Sequence, residues 1–190
     1  MSRYYLLYFF VLLLMPVVDT VLIRAQRRQG HPHRVVDRRS LFVLWFFLAA
    51  GLVAAAGLRT ITAGWIQLAR PLLAAVAVAL MLLGMLLRWA AMITLGRFFS
   101  AHVEIAAEQP LVTTGLYRHV RHPAYAGIIL VAIGIGVTYE NWISLLAVTA
   151  MVVLGVANRV RIEEKALREY YGAAYEAYYR STKRFLPFIL

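Results

Sequence analysis

Pro71-Leu-Leu-Ala-Ala-Val-Ala-Val-Ala-Leu-Met-Leu-Leu-Gly-Met-Leu-Leu87 is a run of seventeen residues without a single charge. As a helix it would be about 26 Å long, close to the ~30 Å hydrocarbon thickness of a bilayer. A helix that is apolar on every side has no face to show to water, so it must lie in a protein interior or in lipid. Pro71 stands where a helix start tolerates proline. Working outward, Leu41–Leu58 is also uncharged, and Tyr4–Ile23 is interrupted only by Pro16 and Asp19. On the other side lie Ala124–Tyr139 and Trp142–Ala157, separated by Glu140 and Asn141. A span needs about 20 residues, so these last two form a helical hairpin that crosses only in part, or crosses where protein rather than lipid surrounds it.

The composition agrees. Of 190 residues, 62% are hydrophobic and 15% charged, with no cysteine, and the mean hydropathy is +0.70. These values exclude intrinsic disorder and an ordinary soluble domain, which carries roughly a quarter charged residues. The absence of cysteine excludes a disulfide framework, a thiolate metal site and a cysteine nucleophile. The net charge of +11 would suggest nucleic acid in a soluble protein, but here the basic residues lie between apolar runs, so no nucleic-acid partner is expected. Arg24 to Ser40, Arg88 to His122 and Asn158 to Leu190 hold most of the Lys and Arg. Five crossings with the N-terminus outside put all three on the cytoplasmic side. The first stretch is expected to remain as a span, because its apolar part is too long for a cleaved signal.

The expected fold is all-α: a polytopic integral membrane protein of about five transmembrane helices with cytoplasmic binding segments. It forms one domain, 1–190, with three spans in 1–88 and a functional half in 89–190. The expected host is a bacterial or archaeal cytoplasmic membrane. Leu167, Tyr170, Tyr171, Ala174, Tyr175 and Tyr178 recur at helical spacing and predict a C-terminal helix in the headgroup layer, broken at Gly172.

Chemistry concentrates in Gly115-Leu-Tyr-Arg-His-Val-Arg-His-Pro-Ala-Tyr125. A basic membrane anchor explains Arg118, Arg121 and Pro123 but not two histidines and two tyrosines in the same dozen residues. A second cluster, Asn158-Arg-Val-Arg-Ile-Glu-Glu164, puts Arg159 and Glu163 on one helix face. They read either as an intrahelical ion pair or as ligands for charged groups, the Arg for a carboxylate or phosphate and the Glu for an ammonium. A metal site from His102, Glu104, His119 and His122 would rest on an i, i+3 histidine spacing that is common in any sequence, with no thiolate to support it, so none is expected.

Taken together, Leu111-Val-Thr-Thr-Gly-Leu-Tyr-Arg-His-Val-Arg-His-Pro-Ala-Tyr-Ala-Gly127, the hairpin, Arg159 to Glu164, and Tyr171-Gly followed by Tyr175, Tyr178 and Pro187 resemble the isoprenylcysteine carboxyl methyltransferase family. The superfamily also includes phospholipid N-methyltransferases. The resemblance covers about Phe99 to Pro187. It implies S-adenosylmethionine as methyl donor. By position, Gln109, Pro110, Leu111 and Val112 would line the donor largely through backbone, and Tyr117 would pack on it. His122, Pro123, Ala124 and Tyr125 would form the turn around it, Glu163 would contact it, and His102 would be a further contact. Arg159 would face the methyl acceptor. The implied acceptor is a lipophilic molecule entering from the bilayer, an isoprenylcysteine-like carboxylate in the narrower reading. A carboxylate is already ionised at neutral pH and needs no base. A phospholipid amine would need one, with His119, Tyr125 and Glu164 the available groups. A non-catalytic scaffold holding anionic lipid is the remaining alternative.

Overall fold

The computed structural model describes residues 4–27, 33–106 and 109–185. Helices α1 (Tyr4–Arg27), α2 (Arg39–Leu58), α3 (Arg70–Leu95) and α5 (Trp142–Tyr171) are long and apolar enough to cross a membrane. Helix α4 (Pro123–Val137) has 15 residues, short of a full crossing by itself. A nine-residue α6 (Ala173–Ser181) follows α5. The polytopic membrane architecture is therefore the one expected from the apolar runs. The boundary drawn at residue 88 falls inside α3, which continues to Leu95. Pro187 lies outside the described residues.

Two features depart from expectation. The fifth helix does not stop at Ala157, where the apolar run ends, but continues to Tyr171. Nothing from Asn158 to Tyr171 breaks a helix, since neither Gly nor Pro occurs there. At about 1.5 Å per residue, its 30 residues extend about 45 Å, so the charged turns stand clear of the hydrocarbon. The break comes at Gly172, whose φ of 54° is left-handed and whose N–H caps the Arg168 carbonyl. The second departure is a pair of short antiparallel strands, β1 (His33–Asp37) and β2 (Val103–Ala106), with an irregularity between Val35 and Asp37. Asp37 lies opposite Val103, so the start of α2 is carried to the loop that follows α3.

Close helix approach depends on glycine. A Cβ at Gly127 of α4 would lie 2.5 Å from the Gly84 carbonyl oxygen of α3, and one at Gly84 would lie 2.6 Å from the Gly127 oxygen. Farther along, Gly134 leaves room for Met81. In the second crossing, Gly155 of α5 faces Leu44 and Phe47 of α2. Small residues are the usual means of close helix packing where lipid removes the hydrophobic drive between helices. The interior they enclose is filled by Leu73, Ala77, Met81, Met85 and Val131 on the α3–α4 side, and by Ala132, Val152, Val156 and Val160 on the α4–α5 side.

Gly127→Val should destabilise the protein by about 1–3 kcal/mol, lowering its melting temperature in detergent by several degrees. Gly57→Val, on α2 with nothing within 4 Å of its Cβ, serves as the control and should melt as the unaltered protein does. Equal melting of the two variants would contradict the close crossing.

Candidate active site

A cavity of about 370 Å³ opens where α5, the start of α4 and residues 98–104 and 109–112 meet, within the size range of small-molecule sites. His102, Gln109, Pro110, Leu111, Val112, Tyr117, His122, Ala124, Tyr125, Arg159 and Glu163 all line it. Pro123 does not. It is buried as the first residue of α4, where its ring starts the helix. His119 is exposed and absent from the cavity wall. Among the described residues, no three His, Asp or Glu side chains gather as metal ligands would.

Arg159, on the cavity wall, is 3% exposed. Its Nε donates to the Tyr125 hydroxyl at 2.7 Å, Nη1 to Ser40 Oγ at 3.1 Å, and Nη2 to the Ala101 carbonyl at 2.5 Å. The Tyr125 hydroxyl in turn donates to Glu163 Oε2 at 2.8 Å. Arg159 and Glu163 are thus not the direct intrahelical ion pair that their spacing suggested, because Tyr125 stands between them. Among the described residues no carboxylate touches Arg159. A guanidinium has five N–H groups. With one on each nitrogen engaged, one remains on Nη1 and one on Nη2, the pattern that receives two oxygens of an anion.

The more distant counter-charge is Asp37. Its carboxylate accepts from the backbone N–H of Arg39 at 3.1 Å and of Ser40 at 2.8 Å. Burial raises the Asp37 carboxyl, but the bonds from Ser40 and Arg39 and the Arg159 charge outweigh it and hold it below its ordinary range.

Glu164, one residue beyond Glu163, faces the other way. Buried at 3% side-chain exposure, it contacts His122 Nε2 at 3.2 Å, accepts from Arg184 Nε at 3.2 Å and Nη2 at 2.7 Å, and lies 3.6 Å from Arg121 Nε. The chain after α6 runs beside 119–122: Arg121 N–H donates to the Lys183 carbonyl and His122 N–H to that of Arg184. Glu164 therefore locks the tail against the turn that carries His122. It is a structural anchor and not an available base.

Three tyrosines of the C-terminal helices face inward, where the sequence predicted a headgroup stripe, while Tyr170 of that stripe is 46% exposed. Tyr171, Tyr175 and Tyr178 line the cavity. Tyr171 donates to the Gln109 carbonyl at 3.0 Å and Tyr178 to the Tyr117 carbonyl at 2.7 Å, closing the far wall. Burial pushes the Tyr178 hydroxyl up to about 12 against the opposing charge of Arg121, and raises Tyr117 and Tyr175 as well. All three stay protonated near neutrality. Toward the bilayer, Asp19 of α1 bonds Arg88 Nε at 2.9 Å and Trp89 Nε1 at 3.0 Å, and Asp19 and Arg88 both line the cavity. A lone acid in an apolar span was the signal for that pair. Three buried polar atoms of lining residues have no hydrogen-bond partner among the described residues: His102 Nδ1, the Tyr175 hydroxyl and Arg121 Nε, the last lying 3.6 Å from Glu164 Oε1. Orphaned polar atoms, aromatic walls and one available carboxylate, Glu163, fit a flat, polar, partly cationic ligand such as S-adenosylmethionine.

Removing the Glu164 charge should destabilise the protein. Glu164→Gln leaves Arg121, Arg184 and His122 around a neutral amide. A loss of about 3–5 kcal/mol is expected from breaking a buried ion network, read as a lower thermal midpoint in detergent. A change under about 1 kcal/mol would show that the tail is held by other means.

Residues 77–169 match the isoprenylcysteine carboxyl methyltransferase (ICMT) family. The chain is 34% identical over 116 residues to the probable protein-S-isoprenylcysteine O-methyltransferase of Oryza sativa subsp. japonica, covering 60% of this chain and 61% of that one. It is 35% identical over 112 residues to protein-S-isoprenylcysteine O-methyltransferase B of Arabidopsis thaliana, covering 58% and 57%. The chain thus spans about three fifths of the length of these curated relatives. Both organisms are eukaryotes, which runs against the expected bacterial or archaeal membrane. The fold is similar to that of the eukaryotic intramembrane Ras methyltransferase ICMT, with a TM-score of 0.59, 26% identity and coverage of 76% of this chain and 52% of that one. Over residues 77–169 the sequence is similar to the isoprenylcysteine carboxyl methyltransferase family, and over 76% of its length the chain is similar in fold to a solved member of it.

Proposed function

We propose that the chain is an S-adenosylmethionine-dependent methyltransferase that esterifies the carboxylate of a lipophilic, isoprenylcysteine-like acceptor. The acceptor enters the cavity from the bilayer, and the cavity mouth and C-terminus face the cytoplasm. The observation that carries this reading is Arg159: a buried guanidinium that, among the described residues, has no carboxylate in contact and one N–H left on each Nη. The names of the relatives support the same chemistry.

S-adenosylmethionine supplies a methyl group on a sulfonium, and transfer to a carboxylate oxygen neutralises both charges. The chain's share is placement. Arg159 holds the acceptor carboxylate through its two remaining N–H groups, while Tyr125, Ser40 and the Ala101 carbonyl fix the guanidinium plane. Glu163, held by the Tyr125 hydroxyl, presents negative charge to the cavity where a cation would stand. The aromatic and aliphatic walls exclude water, so charge neutralisation proceeds in a weakly screening medium. His102, Tyr117 and the backbone of 109–112 would line the donor, and His122 with Ala124 would shape the turn around it. No residue has to remove a proton, because an acid with a reference pKa near 4 is ionised throughout the neutral range.

Arg159→Lys should lose about 10²- to 10³-fold in single-turnover rate, since an ammonium lacks the planar fork, while donor affinity stays near that of the unaltered protein. The rate of the unaltered protein should be flat from about pH 6 to 8. A steep rise across that window with Arg159→Lys largely active would replace the carboxylate by an amine, as in phosphatidylethanolamine N-methylation, where the ammonium must first lose a proton.

A further inference from the structure

Three tyrosines of the last two helices, Tyr171, Tyr175 and Tyr178, reach the cavity wall. Two have evident work to do within the protein, since their hydroxyls close on the carbonyls of Gln109 and Tyr117. Tyr175 does not. Its side chain is among the most completely buried in the molecule, at 1% exposure, yet its hydroxyl has no hydrogen-bond partner among the described residues. Leaving a buried phenolic O–H unsatisfied is costly, and native structures keep few such groups without a reason. Phenylalanine would fill the same space without that penalty.

The surroundings indicate what the hydroxyl awaits. Tyr175 packs edge-to-face on Tyr178 with ring centroids 6.0 Å apart, and Tyr178 is tied to Tyr117. This end of the cavity is therefore walled by aromatic rings, suited to a flat heterocycle. The opposite end holds Arg159. The cavity follows α5 from Arg159 to Tyr171, twelve residues and about 18 Å of helix. If the reacting methyl lies toward Arg159, the nucleoside of the donor extends toward the tyrosines.

We propose that the Tyr175 hydroxyl is a hydrogen-bonding contact for the adenosyl part of the methyl donor, a binding residue on α6 in addition to those of the 102–125 segment and α5. The inference rests on the methyltransferase reading above. It gives Tyr175 a consequence of opposite sign in the empty and the loaded protein. Removing the hydroxyl relieves a desolvation penalty when the cavity is empty and deletes a bond when it is full. A side chain needed only for packing would show neither effect.

The test is Tyr175→Phe in the full chain, purified in detergent. S-adenosylhomocysteine, which cannot react, is the probe, with affinity measured by calorimetry and stability by thermal melting. Affinity should fall about 2- to 12-fold, the weight of one neutral hydrogen bond. The ligand-free melting temperature should stay equal or rise. Unchanged affinity would overturn the assignment. So would a lower ligand-free melting temperature, because it would mean that the hydroxyl is satisfied inside the protein. No binding of the probe by the unaltered protein would overturn the donor reading itself, and this assignment with it, whereas binding by the unaltered protein with no loss in Tyr175→Phe would overturn the assignment alone.

Discussion

Burying one positive charge, that of Arg159, is the constraint on which the rest of the site depends. A guanidinium withdrawn from water is expensive unless its N–H groups are satisfied. Arg159 meets that demand with three neutral oxygens from three separate parts of the chain: Ser40 at the start of α2, Ala101 after α3, and Tyr125 in the first turn of α4. Each partner needs its own support. The β1–β2 pairing brings the α2 start to the 101–103 loop, and the Gly84–Gly127 contact lets α4 lie close against α3. Because the partners in contact are neutral and neither Asp37 nor Glu163 touches the guanidinium, the site keeps an attraction for an anion that direct contact with Glu163 would have cancelled.

Helix periodicity along α5 separates chemistry from architecture. Arg159, Glu163 and Leu167 follow one another at four-residue spacing and look into the cavity. Glu164 is rotated by about 100° and looks toward the tail, where it gathers Arg121, His122 and Arg184. Two adjacent glutamates thus have unlike surroundings, one presented to the cavity and one closing the fold. The tail strand then brings α6 and its tyrosines over the cavity, so the integrity of the Glu164 network bears on the shape of the site.

Much of this was legible in the sequence, for reasons that differ by feature. The spans were visible because lipid demands long apolar runs, and Gly172 was visible as a break because no other residue type accepts that turn so readily. Arg159, Glu163 and the cavity-lining residues Gln109 to Val112, Tyr117, His122, Ala124 and Tyr125 were named through motif resemblance and local polarity in an apolar chain. What stayed hidden was long-range pairing. Ser40 and Asp37 are 119 and 122 positions from Arg159, and nothing local marks either as its partner. The continuation of α5 was missed because a fall in hydropathy marks the edge of lipid, not the end of a helix. Tyr171, Tyr175 and Tyr178 were recognised as one helical stripe, but spacing shows that residues share a face without showing what the face meets.

The central claim is that the buried Arg159 charge selects a carboxylate, and product chemistry tests it most directly. The purified protein, reconstituted in lipid bilayers, would be given S-adenosylmethionine labelled in the methyl group together with equal amounts of a farnesylated cysteine and phosphatidylethanolamine. Methyl esters release labelled methanol in mild alkali, whereas N-methyl groups do not. Label on the prenylated acid, released by alkali, is the predicted result. Label held in an alkali-stable N-methyl headgroup, or in neither acceptor, would contradict the claim.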